Sequence, residues 1–403
     1  MESRMRARVA AWGGVALAAV ALLVAVLPRG AGSGAQGSAA AAVAAAPANP
    51  EHASAASWPG ARSALAGPVH DRVPTNVELD DERAMALWQR QFQAAAAERI
   101  AMLLERGDAR SLYEALLLLP GSGALGDQDY GRDRQASLDR ARALAPDDPH
   151  LALIAAIDCG SGECNRTAAI DDLLRLQPDN ALGALLALDA ALDAGDAAAI
   201  ERWLERAAAA DHYDMGYTRT ARDYVWAFGN VPAPPLDAET VQRTFASLGL
   251  AVDSATVDDL VTVNAMGVVV AHALPSMAGL SDLCAARRAS PAHLASCHRI
   301  WRHMAGSDTA IAQLMSLSQL VQMTGDAKER RHWQERLRHL SWLMQEGSRV
   351  MDIQAARDHL LLGELQAWER TLQRRGLAMP AGWLPDYPRY RSLILTGRPP
   401  PGD

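Results

Sequence analysis

Over most of the chain, apolar residues recur at three- and four-residue steps, the spacing that stacks side chains along one face of an α-helix. Between Asp80 and Arg106, the residues Met85, Trp88, Phe92, Ala96, Ile100 and Leu103 trace one such stripe. Ile170, Leu173 and Leu174 mark another helix, and Trp333, Leu337, Leu340 and Met344 mark one near the other end. The period-two alternation of strands is nearly absent. Its one candidate, the valine-rich stretch from Val261 to Val270, follows Asp258-Asp259 in a run long enough for a helix, and helix is expected there.

The links between these stripes repeat a small vocabulary. Arg106-Gly107-Asp108, Ala194-Gly195-Asp196 and Thr324-Gly325-Asp326 each separate two helical patterns. Glycine takes the left-handed position that closes the first helix, and aspartate accepts hydrogen bonds from the free amides that open the second. So short a link makes the two helices antiparallel neighbours. Glu329, three residues after Asp326, predicts a capping box at the third site. Capping also accounts for the paired acids Asp147-Asp148, Asp171-Asp172 and Asp258-Asp259, each placed near an expected helix start, where negative charge complements the helix dipole.

A longer echo sets Leu144-Ala145-Pro146-Asp147 against Leu176-Gln177-Pro178-Asp179, with Leu151 to Ala156 answered by Leu182 to Ala187 and a weaker copy from Leu204 through Tyr213. Helix, short turn and helix recurring at a period of about 31 or 32 residues is the pattern of an α-solenoid, in which each hairpin hides its apolar stripe against the next. From Arg140 to Tyr213, and around Gly107 and Gly325, the residues resemble a tetratricopeptide-like repeat. The resemblance implies paired antiparallel helices stacked into a curved array with a concave binding face, and a binding or scaffolding role. It supplies no catalytic positions. The expected fold is therefore all-α, with antiparallel helix hairpins stacked as an irregular α-solenoid over residues 76–376 and an irregular C-terminal tail over 377–403.

The start of the chain reads differently. Arg4, Arg6 and Arg8 precede an uncharged stretch from Val9 to Leu27, the pattern of an export signal or of an N-terminal membrane anchor within residues 1–29. Residues 30–75, rich in Ala, Gly, Ser and Pro, are expected to be a disordered linker, because they offer too little apolar surface to offset the entropy of ordering. The mature part is then expected outside the cytoplasm, periplasmic or exported, with residues 9–27 as its one tie to the membrane. Net charge is −8, which argues against nucleic acid, since phosphate-backbone binding needs a basic stripe. Lys328 is the single lysine, an arginine bias that suggests a GC-rich bacterial genome.

Export also colours the four cysteines, because disulfides persist in oxidising compartments. Sequence leaves three pairings open. The local ones, Cys159 with Cys164 and Cys284 with Cys297, are expected because each brackets a helix–helix turn. The competing reading is a metal site drawn from Cys284, His293, Cys297, His298 and His303, but the twelve residues between the cysteines miss the close-pair spacing of structural zinc. Along a helix the three histidines advance about 140° per step and share no face.

Other chemistry is thinly signposted. His-Glu-x-x-His, Gly-x-Ser-x-Gly and Gly-x-x-x-x-Gly-Lys do not occur in the sequence, no dinucleotide fingerprint follows an expected strand, and no cofactor is expected. Lys328 to His339 reads as a solvated basic face paired locally through Glu335. The first place to look for a ligand is a concave groove lined by Tyr213, Tyr217, Tyr224 and Trp226. The partner expected there is a protein or peptide of the cell envelope. The alternative is an envelope enzyme, with or without a metal, whose site is assembled from distant residues and seeded by the Cys/His cluster or by Asp211-His212-Tyr213-Asp214.

Overall fold

The computed structural model describes residues 76–122, 130–158, 165–248, 250, 254–270, 275, 277–285 and 290–400. The leader at 9–27, the linker at 30–75 and the Cys159–Cys164 pairing lie outside the described residues. Within them the chain is all-α, with seventeen α-helices. In chain order these are α1 (Asn76–Arg106), α2 (Ala109–Leu118), α3 (Tyr130–Leu144), α4 (Pro149–Asp158), α5 (Arg166–Leu176), α6 (Ala181–Ala194), α7 (Ala197–Ala209), α8 (Tyr217–Gly229) and α9 (Ala238–Ser247). There follow α10 (Val257–Val270), α11 (Ala278–Leu283), α12 (Pro291–Met304), α13 (Ala310–Met323), α14 (Ala327–Arg349), α15 (Ile353–Leu362), α16 (Glu364–Arg374) and α17 (Pro388–Thr396). The valine-rich segment is helix α10. Residues 388–396, expected to be part of an irregular tail, form α17, with proline in its first turn and left-handed Gly397 closing it.

The turns follow the capping chemistry with two departures. Gly107 and Gly195 are left-handed, at φ +66° and +67°. Asp108, Asp196 and Asp326 accept from the amides of Ser111, Ala199 and Glu329. Gly325, however, is not among the positive-φ glycines; Thr324 closes α13 with an extended backbone. Nor does Glu329 complete a capping box, because its carboxylate turns to Arg302 on α12. An ion pair between helices outcompetes the local bond back to the cap. The pair Asp171-Asp172 lies in the middle of α5 rather than near its start, and Asp172 binds Arg142 of α3 and Arg175.

Sequential packing runs from α1 through α7, then passes from α7 to α12 and on through α13 and α14 to α16. α15 packs on α16 and on α8, and α8 packs on α2, so the neighbour relations return to where they began. Helices α4 and α6 are apolar over most of their surface, the mark of a buried helix, and residues 150–156 of α4 are buried without exception. The helices around them carry narrower stripes: Trp88, Phe92, Ala96, Ile100 and Leu103 on α1 are all buried.

One contact recurs along the outer row formed by α3, α5, α7, α12 and α14. Arg175 on α5 donates to the carbonyl of Pro146, just past α3, at 3.2 Å. Arg206 on α7 donates to Leu174 on α5, and Arg299 on α12 to Ala208 on α7, each at 3.3 Å. Arg336 on α14 donates to Ala305, just past α12, at 2.6 Å. Each arginine thus satisfies carbonyls that a helix end leaves without an internal partner, and sets a positive charge at the negative pole of the dipole. The lysine-poor composition suits this task, since a guanidinium presents a rigid fork of donors.

Cys284, which closes α11, is bonded to Cys297 on α12, with Cα atoms 5.7 Å apart. Closing so short a loop stabilises by about 3 kcal/mol on the loop-entropy model.

The apolar interior has two parts. The larger joins one side of α2 to α3–α7, α11–α14, α16 and α17; the smaller joins α1, the other side of α2, α8, α9 and α10, with Leu360 of α15. A polar seam crosses the boundary between them.

Candidate functional site

The seam is built by helix amino ends. Asp148 accepts from the backbone amide of His150 in the first turn of α4. Asn180 caps α6 and also grips the link to α8, donating to the Asp214 carbonyl at 2.8 Å and accepting from the Asp214 amide at 3.1 Å. Gly216, at φ +65°, starts α8; a Cβ there would stand 2.9 Å from the Leu153 side chain of α4. Asp308, just before α13, accepts from the amide and hydroxyl of Thr218 at 3.0 and 2.8 Å, and so caps α8 from outside. Glu364, which opens α16, accepts from the Ala310 amide and so caps α13. Gly363, at φ +88°, brings the α15–α16 junction against Thr218, whose hydroxyl oxygen a Cβ would meet at 2.6 Å.

Two tyrosine–histidine pairs sit in this frame. In the first, the Tyr113 hydroxyl donates to Asp223 at 2.7 Å, and His150 Nε2 lies 2.9 Å from that hydroxyl and 3.3 Å from the same carboxylate oxygen. Because the hydroxyl's proton goes to Asp223, it is left to accept from Nε2. Burial disfavours charge on Asp223, but the bonds from His150 and Tyr113, with the Arg219 charge, outweigh it and hold the carboxyl below the usual aspartate value. Burial, then the Asp223 charge, pushes the Tyr113 hydroxyl up.

In the second pair, Tyr217 and His359 Nε2 are 2.9 Å apart. Among the described residues no carboxylate bonds to either ring. Burial pulls His359 down to about 4. Burial also pushes Glu364 up to about 7, against the opposing Ala310 bond and with help from the Asp308 charge. Asp308 is itself raised, by burial first, although the Thr218 bonds work the other way. The second half of the seam therefore holds a neutral imidazole beside an acid that exchanges its proton near neutrality. Both are covered, His359 being 5% and Glu364 4% exposed.

Of the four residues expected to line a groove, Tyr213 and Tyr224 are buried and Tyr217 and Trp226 half-buried. Tyr213 belongs to the larger apolar interior, and Tyr224 to the smaller, where it meets Phe228 edge-on. Tyr217 is taken up by His359, and half-buried Trp226 lies under the Arg110 guanidinium, 4.3 Å from the ring centroid. These side chains follow the core stripe of α8 and the link before it, so packing rather than a ligand claims them. The Cys/His cluster is likewise dispersed: the two cysteines are bonded to each other, His293 pairs with Glu201, and His298 faces Thr324 and Glu329. No group of metal-binding side chains occurs among the described residues. No helix among them is long and apolar enough to cross a membrane. Sequence reasoning missed Tyr113, His150, Asp223, Asp308, His359 and Glu364, none of which carried a local signal.

No protein-family description, curated protein or solved structure matches this chain.

Proposed function

We propose that this chain is a protein- or peptide-binding module of the cell envelope, carried out of the cytoplasm by residues 9–27 and working as a row of tetratricopeptide-like helix hairpins. The observation that carries this reading is the arginine tie made at four successive junctions by Arg175, Arg206, Arg299 and Arg336. A contact repeated in the same role at each step is what a row of related hairpins would produce, and such rows present extended surfaces for partners. The Cys284–Cys297 bond fits an oxidising compartment. The test is to express the tagged full chain, cross-link it in intact cells and measure direct binding of any recovered partner to the purified protein. A specific partner at micromolar affinity or tighter, with cysteines that resist alkylation before reduction, is the expected result. A cytosolic chain with reduced cysteines and no direct partner would sink the proposal.

A second reading has one observation in its favour: the seam gathers Tyr217, Asp308, His359 and Glu364 from distant parts of the chain, with Glu364 held where a general acid or base works well. Its test is a screen of chromogenic ester, glycoside and peptide substrates against the unaltered chain and Glu364→Gln. Turnover lost in the variant supports an enzyme, and turnover absent from both removes it.

A further inference from the structure

Residues 388–400 lie along α13 and α14. They are reached from α16 through the link 375–387, much of it exposed, which contains Pro380 and Pro385. Two side chains of the segment are fully seated, Leu393 and Ile394, each 3% exposed, Tyr390 packs half-buried against the same core, and Leu395 points outward at 53%. Other contacts address the backbone. The Gln322 amide donates to the Gly397 carbonyl, and Gln334 donates to that of Leu395 at 2.9 Å. Arg398 returns a bond to Gln322 at 3.2 Å. Gly397, at φ +71°, lies so close to α13 that a Cβ would stand 2.5 Å from the Ser318 carbonyl oxygen. Beside it a cavity of about 50 Å³ remains, lined in part by Ser281, Met315 and Pro399.

Side-chain amides presented to main-chain carbonyls, a pair of apolar anchors and a spot that admits only glycine together read a short segment of chain. We propose that the face formed by α13 and α14, with Ser281 of α11, is a peptide-binding surface occupied in cis by residues 388–400. Its ligand in trans is a segment of the same pattern, a short helix with adjacent Leu-Ile and a glycine three residues beyond the isoleucine. This rests on the binding reading above and names its surface and ligand class. With two anchors and an exposed link, the segment is of the sort that opens locally before the rest of a fold. Its tether keeps it at high effective concentration, so an outside ligand has to outcompete it.

The test uses a fluorescent synthetic peptide of residues 387–400 and fluorescence anisotropy, with the full chain, the double variant Leu393→Ser, Ile394→Ser, and the single variant Gly397→Ala. Both variants are expected to bind the peptide at least about 10-fold more tightly than the unaltered chain, because their own segment no longer competes. A peptide carrying alanine at the Gly397 position is expected to bind neither. Hydrogen exchange at residues 393–397 is expected to quicken in the variants while that of α13 is unchanged. Gly397→Ala keeps both anchors, so it carries the test should the double variant unfold. Equal affinity in all the folded proteins, no binding to a folded variant, or a segment found exchanged between two copies by size measurement and cross-linking would overturn the proposal. A negative result leaves partner capture in cells untouched, since that readout does not depend on this face.

Discussion

The two tyrosine–histidine pairs of the seam share a hydrogen-bond length and a buried setting, yet their electrostatics differ in sign. At Tyr113–His150, Asp223 bonds to both partners, Arg219 stands 4.0 Å away, and the carboxyl is held below its usual value. At Tyr217–His359 the acids bond to backbone amides and to Thr218 instead, and burial wins: Glu364 and Asp308 rise while His359 falls. The same residue types therefore favour the charged carboxylate in one place and disfavour charge in the other. What decides is the balance between lost water and neighbouring charge: Asp223 has Arg219 and His150 beside it, whereas Asp308 and Glu364 are covered more deeply and have only neutral donors and another acid near them.

The sharpest test of that contrast is pH. Glu364, raised from 4.5 to about 7, favours the fold most below pH 4.5, and that contribution falls away as pH climbs to about 7. His359, lowered from 6.5 to about 4, contributes above pH 6.5 and loses its contribution as pH falls to about 4. Between pH 4.5 and 6.5 the two slopes oppose each other. Each is worth about 1.4 kcal/mol per pH unit, or roughly 3 kcal/mol over its window. Urea denaturation should show the stability of Glu364→Gln, relative to the unaltered chain, rising across its window, and that of His359→Gln falling as pH climbs through its own. Parallel curves for all three proteins would mean that the second pair is not neutral.

Asp223→Ala should cost about 2 kcal/mol at neutral pH, because it strands the buried Tyr113 hydroxyl without its acceptor and removes the carboxylate beside His150 Nε2. A loss under about 0.5 kcal/mol, typical of an unconnected surface site, would show that the acid does not organise the first pair. The smallest contrast lies in the hydroxyls. Tyr113→Phe should cost about 1.5 kcal/mol, since a charged acceptor loses its donor, and Tyr217→Phe nearer about 0.5–1 kcal/mol, since both partners are neutral. Equal costs in matched denaturation curves would erase the distinction.

What the sequence made legible was local. Stripes such as Trp88 to Leu103 gave the helices, and Asp108, Asp196 and Asp326 marked their starts, because capping and periodicity act within a few residues. The seam was not legible, because its bonds join residues 110 apart at Tyr113–Asp223 and 142 apart at Tyr217–His359. Tyr217, Thr220, Ala221, Tyr224, Ala227 and Phe228 keep helical spacing, so the aromatic residues placed in a groove were part of a core stripe. Glu329 fitted a capping motif until Arg302, 27 residues away, supplied a stronger partner.

The arginine ties carry one last consequence. Each joins just two helices, α5 to α3, α7 to α5, α12 to α7 and α14 to α12, so helices added elsewhere in the chain leave these joints as they are. The contact of α8 on α2 answers to a different arithmetic, because it registers every unit inserted between them. Length drift in relatives of this chain should therefore be confined to α9–α11 and the segments flanking α17, which stand outside that count.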